Sequence, residues 1–127
     1  MSEVYLVVAT GGSYSDAWTE NLAAFTDNST AEAYMKVKEE LADKIKKAYK
    51  MIWQWDNKNY SGKYETNAQK RMEEYKKKEQ EKSSLIDTFD FLNDEEKANL
   101  KDPYKSNYHK LHDTNYHIEM IDLDVGF

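Results

Sequence analysis

The distribution of apolar positions divides the chain into a short strand-like start, a long helical middle and a strand-like end. Val4, Tyr5, Leu6, Val7 and Val8 form a continuous β-branched and aromatic run, which predicts a strand covered on both faces. Gly11 and Gly12 end it, and Leu22 to Phe25 predicts a second short strand, so the opening reads as an antiparallel pair. From Ser29 to about Asp56 the spacing changes to that of a helix: Leu41, Ile45, Ala48, Ile52 and Trp55 recur every three or four residues, and Tyr34 and Val37 extend the stripe upstream. Ser29 and Glu32 stand in the capping-box relation, which marks Ser29 as the helix start. At ~1.5 Å per residue such a helix is about 40 Å long and must be the spine of the fold.

The Asn- and Gly-containing stretch Asn57–Gly62 predicts a break, followed by a second helix from about Lys63 into the early eighties with Tyr64, Ala68, Met72 and Tyr75 on one face. The tract from Lys76 to Lys82 has no apolar residue and reads as solvated on all sides. Leu85, Ile86, Phe89, Phe91 and Leu92 return to the core. Asn93 and Glu96 form a second capping box before a short helix that Pro103 prevents from continuing far, and Tyr104–Thr114 reads as loop or short helix. Tyr116, Ile118 and Met120 alternate with polar residues, whereas Ile121, Leu123 and Val125 alternate in the opposite phase, which predicts a last strand with a bulge between Met120 and Ile121. The fold expected is α+β in one domain spanning residues 1–127, with a small, mainly antiparallel sheet of the two N-terminal strands and the C-terminal strand packed on a long helical hairpin.

Composition narrows the function classes. The 127 residues carry 18 basic and 24 acidic side chains for a formal charge of -6, and Arg71 is the only arginine, which argues against nucleic-acid binding. No cysteine is present, so neither disulfides nor thiolate metal sites arise. No apolar run approaches a membrane span and the N-terminus lacks a secretory pattern, so a cytoplasmic protein is expected.

Candidate chemistry is sparse. His109, His112 and His117 with Asp113 invite a metal-dependent enzyme reading, but their spacing suits no single face, and no nucleophile elbow or phosphate-binding loop is present. The chain is therefore expected to be no enzyme and to need no metal or cofactor. The loop Ser13–Trp18, with Tyr14, Ser15, Asp16 and Trp18, is the best ligand-facing or partner-facing stretch. The competing reading packs Tyr14 and Trp18 on the sheet and uses Asp16 to tie its own turn. Trp53 and Trp55 point about 200° apart on a helix, so one of them is left for an interface, and Trp53 is taken as the candidate. Self-association, most simply as a homodimer, follows from that surplus aromatic. Glu95 and Glu96, with Asp94, Asp122 and Asp124, supply an acidic surface suited to a basic partner.

Tyr5-Leu6-Val7-Val8, the glycine turn, Tyr14-Ser15-Asp16, the strand ending at Phe25, and Ala31-Glu32-Ala33 opening a helix resemble small bacteriophage accessory proteins over about the first 40 residues. The resemblance implies two strands followed by a helix, and a phage-encoded protein that binds and inhibits a host defence or nucleic-acid-handling protein in the host cytoplasm. Some proteins of similar outline are of the Thoeris anti-defence type that sequesters cyclic nucleotide signals, which implies a small-ligand alternative. That type is expected to place arginines on phosphate, and this chain departs from that pattern in having only Arg71.

Overall fold

The computed structural model describes residues 3–59 and 66–123. Strands β1 (Glu3–Gly11) and β2 (Trp18–Phe25) are followed by helices α1 (Asn28–Asn59), α2 (Ala68–Asp87), α3 (Asp94–Lys101) and α4 (Ser106–His109), and strand β3 (Thr114–Asp122) closes the order. The strands form one antiparallel sheet in the order β2-β1-β3, and the fold is α+β as the apolar pattern implies. Because β1 is central, its apolar run does not alternate: Val7 and Val8 point to opposite faces and both are fully buried.

The phase change at the end of the chain has a different cause from the one expected. β3 keeps an unbroken register with β1, from Asp122 opposite Glu3 to Thr114 opposite Gly11. Met120 and Ile121 are both exposed, so neither marks an inward face, and no bulge is needed between them. The sheet's irregularity lies in β2, where the register with β1 steps from Ala23 to Asn21 and leaves Leu22 as the extra residue. Asp124, Val125 and the two residues after them lie outside the described residues.

The chain forms two compact units, Met1–Ile45 with Lys110–Phe127, and Lys46–His109. The first holds the sheet and the first half of α1, with Val7, Val8, Ala9, Ala31, Ala42 and Ile45 buried. The ring of Phe25 meets that of Tyr34 with centroids 5.4 Å apart, which ties β2 to the helix. Val37, expected on the stripe, is exposed. Six residues after Ala31 at ~100° each, it lies about 120° round the helix from that anchor, whereas Ala42 returns to within about 20° of it. The helix start also differs. Asp27, not Ser29, is the cap: its Oδ2 accepts the Thr30 backbone N–H at 3.2 Å and the hydroxyls of Ser29 at 2.7 Å and Thr30 at 2.8 Å. A carboxylate at the positive end of a helix dipole, with lone pairs for three donors, outcompetes a serine for this role. Those hydrogen bonds, the one from Ser29 foremost, hold the Asp27 carboxyl below its ordinary 3.8.

In the second unit Ala48, Ile86, Phe89, Leu92 and Leu100 are buried, while Ile52 and Trp55 are half-buried on the expected stripe. The helix continues through Asn57–Asn59, where a break was expected, and the rest of that stretch lies outside the described residues. α1 and α2 run antiparallel here, since the Lys78 ammonium donates to the Asn59 carbonyl and Lys82 Nζ lies 3.7 Å from Asp56 Oδ1. The face of α2 that packs is not the one expected. Ala68, Met72 and Tyr75 are exposed, and Tyr64 is outside the described residues, whereas Lys78 and Lys82 from the supposedly solvated tract are half-buried. Lysine stems cover apolar surface while their heads reach carbonyls and carboxylates, which hydropathy does not register. α2 begins at Ala68 with Asn67 as its cap, accepting from the Lys70 N–H at 3.1 Å. The Asn93–Glu96 capping box forms as expected, and α3 ends at Lys101, before Pro103. Among the described residues no helix is long and apolar enough to cross a membrane.

Candidate functional site

The turn between β1 and β2 is built to hold one aromatic ring away from the protein. Gly11 allows the close approach at its base, where an added Cβ would lie 2.5 Å from the Trp18 ring and 2.6 Å from the Asp113 carbonyl oxygen. Gly12 has φ 73°, and its N–H donates to Asp113 Oδ2 at 2.8 Å. Lys110 Nζ sits 4.1 Å from the centre of the half-buried Trp18 ring. On this base stands a single turn of 3-10 helix, Tyr14–Asp16, closed by the Asp16 N–H donating to the Ser13 carbonyl at 3.0 Å and the Ala17 N–H to that of Tyr14 at 3.2 Å. Tyr14 has φ 53°, a left-handed conformation unfavourable for a bulky side chain, and is 98% exposed. Ser15 and Asp16 beside it are also exposed. Of the two packing expectations, Trp18 joins the sheet and Tyr14 does not.

A second feature lies within the helical unit. A cavity of about 350 Å³ is lined by Tyr49, Ile52, Trp53, Asp56, Lys82, Leu100 and His109 among others. Trp53 is 65% exposed at this cavity while Trp55 is half-buried, so the two tryptophans divide as their spacing requires. His109 Nε2 donates to the Asp102 carbonyl at 2.8 Å, which in the neutral imidazole leaves Nδ1 to accept the Tyr49 hydroxyl. Burial raises the Tyr49 hydroxyl above its ordinary 10.0. Asp56 Oδ1 is buried without a hydrogen bond, with the Lys82 ammonium 3.7 Å away, which also lies 3.6 Å from Glu79. A concave space of this size, lined by apolar side chains and by convergent polar groups, has the form of a small-molecule site.

The expected site residues therefore fall into two groups. Tyr14, Ser15, Asp16 and Trp18 share one turn of the sheet unit; Trp53, Glu95 and Glu96 belong to the helical unit, on α1 and α3. Glu96 serves its own helix first, accepting the Asn93 N–H at 2.9 Å, and Glu95 stands beside it in the first turn, where acids complement the helix dipole. Of the histidines, His109 is engaged as described, His112 is exposed in the turn before β3, and His117 on β3 contacts Glu119 Oε1 at 2.9 Å. Among the described residues no three His, Asp or Glu side chains gather as metal ligands would. Sequence reasoning missed Tyr49, Asp56 and Lys82, whose relation to the cavity depends on pairings such as Tyr49 with His109, 60 residues apart. Comparison with protein-family models, with curated proteins and with solved structures finds no match.

Proposed function

We propose that this protein works by binding rather than by catalysis, engaging a host protein through the aromatic Tyr14 turn and an acidic surface, as a phage-encoded antagonist of a host defence or nucleic-acid-handling protein in the host cytoplasm. The supporting observation is Tyr14, a large ring at φ 53° and 98% exposure. A bulky residue in the left-handed region costs about 1–2 kcal/mol, and here the cost secures no packing in return. Aromatic anchors that insert into a partner's pocket carry much of the energy of protein interfaces. The phage and anti-defence part of the reading rests on the resemblance of the first 40 residues, and the -6 charge supports a basic partner.

The test uses Tyr14→Gly, which relaxes the backbone as it removes the ring. The variant should melt at or above the parent temperature, with a gain of up to about 1 kcal/mol, yet capture none of the partner that the parent retains from host lysate. Equal capture by parent and variant would remove the turn from the mechanism.

The cavity beside Tyr49 and His109 supports a second reading, sequestration of a small ligand such as a cyclic nucleotide. Its volume of about 350 Å³ is in the range of small-molecule sites. A ligand at 100 times its dissociation constant should stabilise the protein by ~2.7 kcal/mol, and a thermal-shift screen with cyclic nucleotides measures this directly.

A further inference from the structure

We propose that β3 is a homotypic edge: two copies of this chain pair through their β3 strands, antiparallel and centred on Ile118, so that His117 of each copy stands opposite Glu119 of the other. The inference is independent of the Tyr14 turn and of the cavity.

The two outer edges of the sheet differ. β2 carries the irregularity at Leu22, a device by which sheet edges are kept from pairing. β3 is regular over 9 residues, contains neither lysine nor proline, and among the described residues pairs with β1 alone. Its outer row of backbone donors and acceptors is a template for another strand. Apolar side chains accompany that edge, Met120 at 59% and Ile121 at 42% exposure.

Symmetry and charge then select the occupant and the register. Antiparallel copies of one strand are related by a two-fold axis perpendicular to the sheet, which keeps facing residues on the same face. The pairing can therefore slide only in steps of two residues. Centred on Glu119, it sets glutamate against glutamate; centred on His117, it sets histidine against histidine and leaves Glu119 opposite Asn115. Centred on Ile118, it forms the His117–Glu119 contact twice and sets Tyr116 opposite Met120, an aromatic with a thioether. His117 and Glu119 are exposed on the same face of the strand and contact each other at 2.9 Å within one copy, so the pairing exchanges one internal contact per copy for its equivalent between copies. Both halves of this complementarity are contained in one strand, which is why a second copy fits it.

Sedimentation velocity and light scattering of the full chain, from low to high micromolar concentration, should show a species of twice the 15.0 kDa chain mass. His117→Glu sets like charges opposite each other twice and should weaken the dimer roughly tenfold to hundredfold, while H117E combined with E119H should restore it. Circular dichroism establishes that each variant is folded. The chain has no cysteine, so Ile118→Cys, the one position that faces its own counterpart, should give a disulfide-linked dimer under mild oxidation, whereas Ile121→Cys, which faces Asn115, should not. Tyr14→Ser should leave the dimer intact. A mass of 15.0 kDa at every concentration would overturn the proposal and leave the edge to a strand of another protein. A dimer that ignores His117→Glu and cross-links at position 121 instead would overturn it equally.

Discussion

Among the described residues of the sheet unit the buried side chains are Val7, Val8, Ala9, Ala31, Ala42 and Ile45, joined by one polar residue, Thr114, whose hydroxyl donates to the Lys110 carbonyl at 2.7 Å. In the helical unit Ala48, Ile86, Phe89, Leu92 and Leu100 are buried, and polar contacts accompany them: Tyr49 with His109 and His109 with Asp102, Lys82 with Asp56, Lys78 with the Asn59 carbonyl, and Lys101 with Asp87. Both units bury an apolar core; the first adds a strand ladder to it, the second adds side-chain hydrogen bonds and ion pairs between its helices. The same chain should therefore respond to different substitutions in its two halves.

The largest expected effect is apolar. Ile45→Ala removes a fully buried side chain from the sheet unit and should cost about 2–5 kcal/mol, read from chemical denaturation. Met72→Ala and Tyr75→Ala remove exposed side chains from the first half of α2 and should change stability by no more than about 0.5 kcal/mol. If Tyr75→Ala cost as much as Ile45→Ala, the apolar face of α2 would have to be packed after all.

Next comes a polar change in the helical unit. Tyr49→Phe keeps the ring and deletes the hydroxyl that donates to His109 Nδ1, leaving a ring nitrogen without its donor, and should cost about 1–3 kcal/mol. A near-neutral Tyr49→Phe would make the helical unit as purely apolar in its energetics as the sheet unit, and the contrast between them would fail.

The cap of α1 gives a smaller effect with a pH signature. Because the folded Asp27 carboxyl lies below its ordinary 3.8, its contribution is fully present above that value and is lost as pH falls through the folded pKa. Asp27→Asn should flatten the acid limb of the stability curve, while Ser29→Ala should flatten it less, since Ser29 supplies only one of the hydrogen bonds.

What was legible in the sequence was what local signals carry. The β1 run, the stripe of Ile45, Ala48 and Ile52, and the Asn93–Glu96 box depend on neighbours within a few residues, and each has its expected form. The capping-box pattern points to Ser29 alone, whereas Asp27, two residues upstream, takes the role because its carboxylate receives three donors. The Lys76–Lys82 tract misled because hydropathy scores the ammonium and not the stem. The Tyr14 turn was legible as a candidate from its glycines and aromatics, although the exposure of its ring depends on a φ angle that no residue type dictates. The cavity was not legible, since Tyr49 and His109 meet across 60 residues.

The smallest expected effect concerns Tyr108, which contrasts with Tyr49 inside one unit. Its hydroxyl is buried without a hydrogen-bond partner, whereas that of Tyr49 is satisfied by His109. Burial, with the carboxylates of Glu96 and Glu95 adding repulsion, pushes the Tyr108 hydroxyl up from 10.0 to about 12. Tyr108→Phe should be neutral or stabilising at pH 7, by no more than about 1 kcal/mol, because it deletes a polar group that folding desolvates without recompense. The sign in alkali follows from linkage. A folded pKa raised above the unfolded one gives a contribution that is complete below pH 10 and is lost as pH rises towards about 12. The phenylalanine variant lacks this loss, so its advantage over the parent should grow across that interval, as measured by denaturant midpoints at several alkaline pH values. A difference independent of pH would mean that Tyr108 ionises as readily in the folded chain as in the unfolded one, and its hydroxyl would then have to be in contact with water.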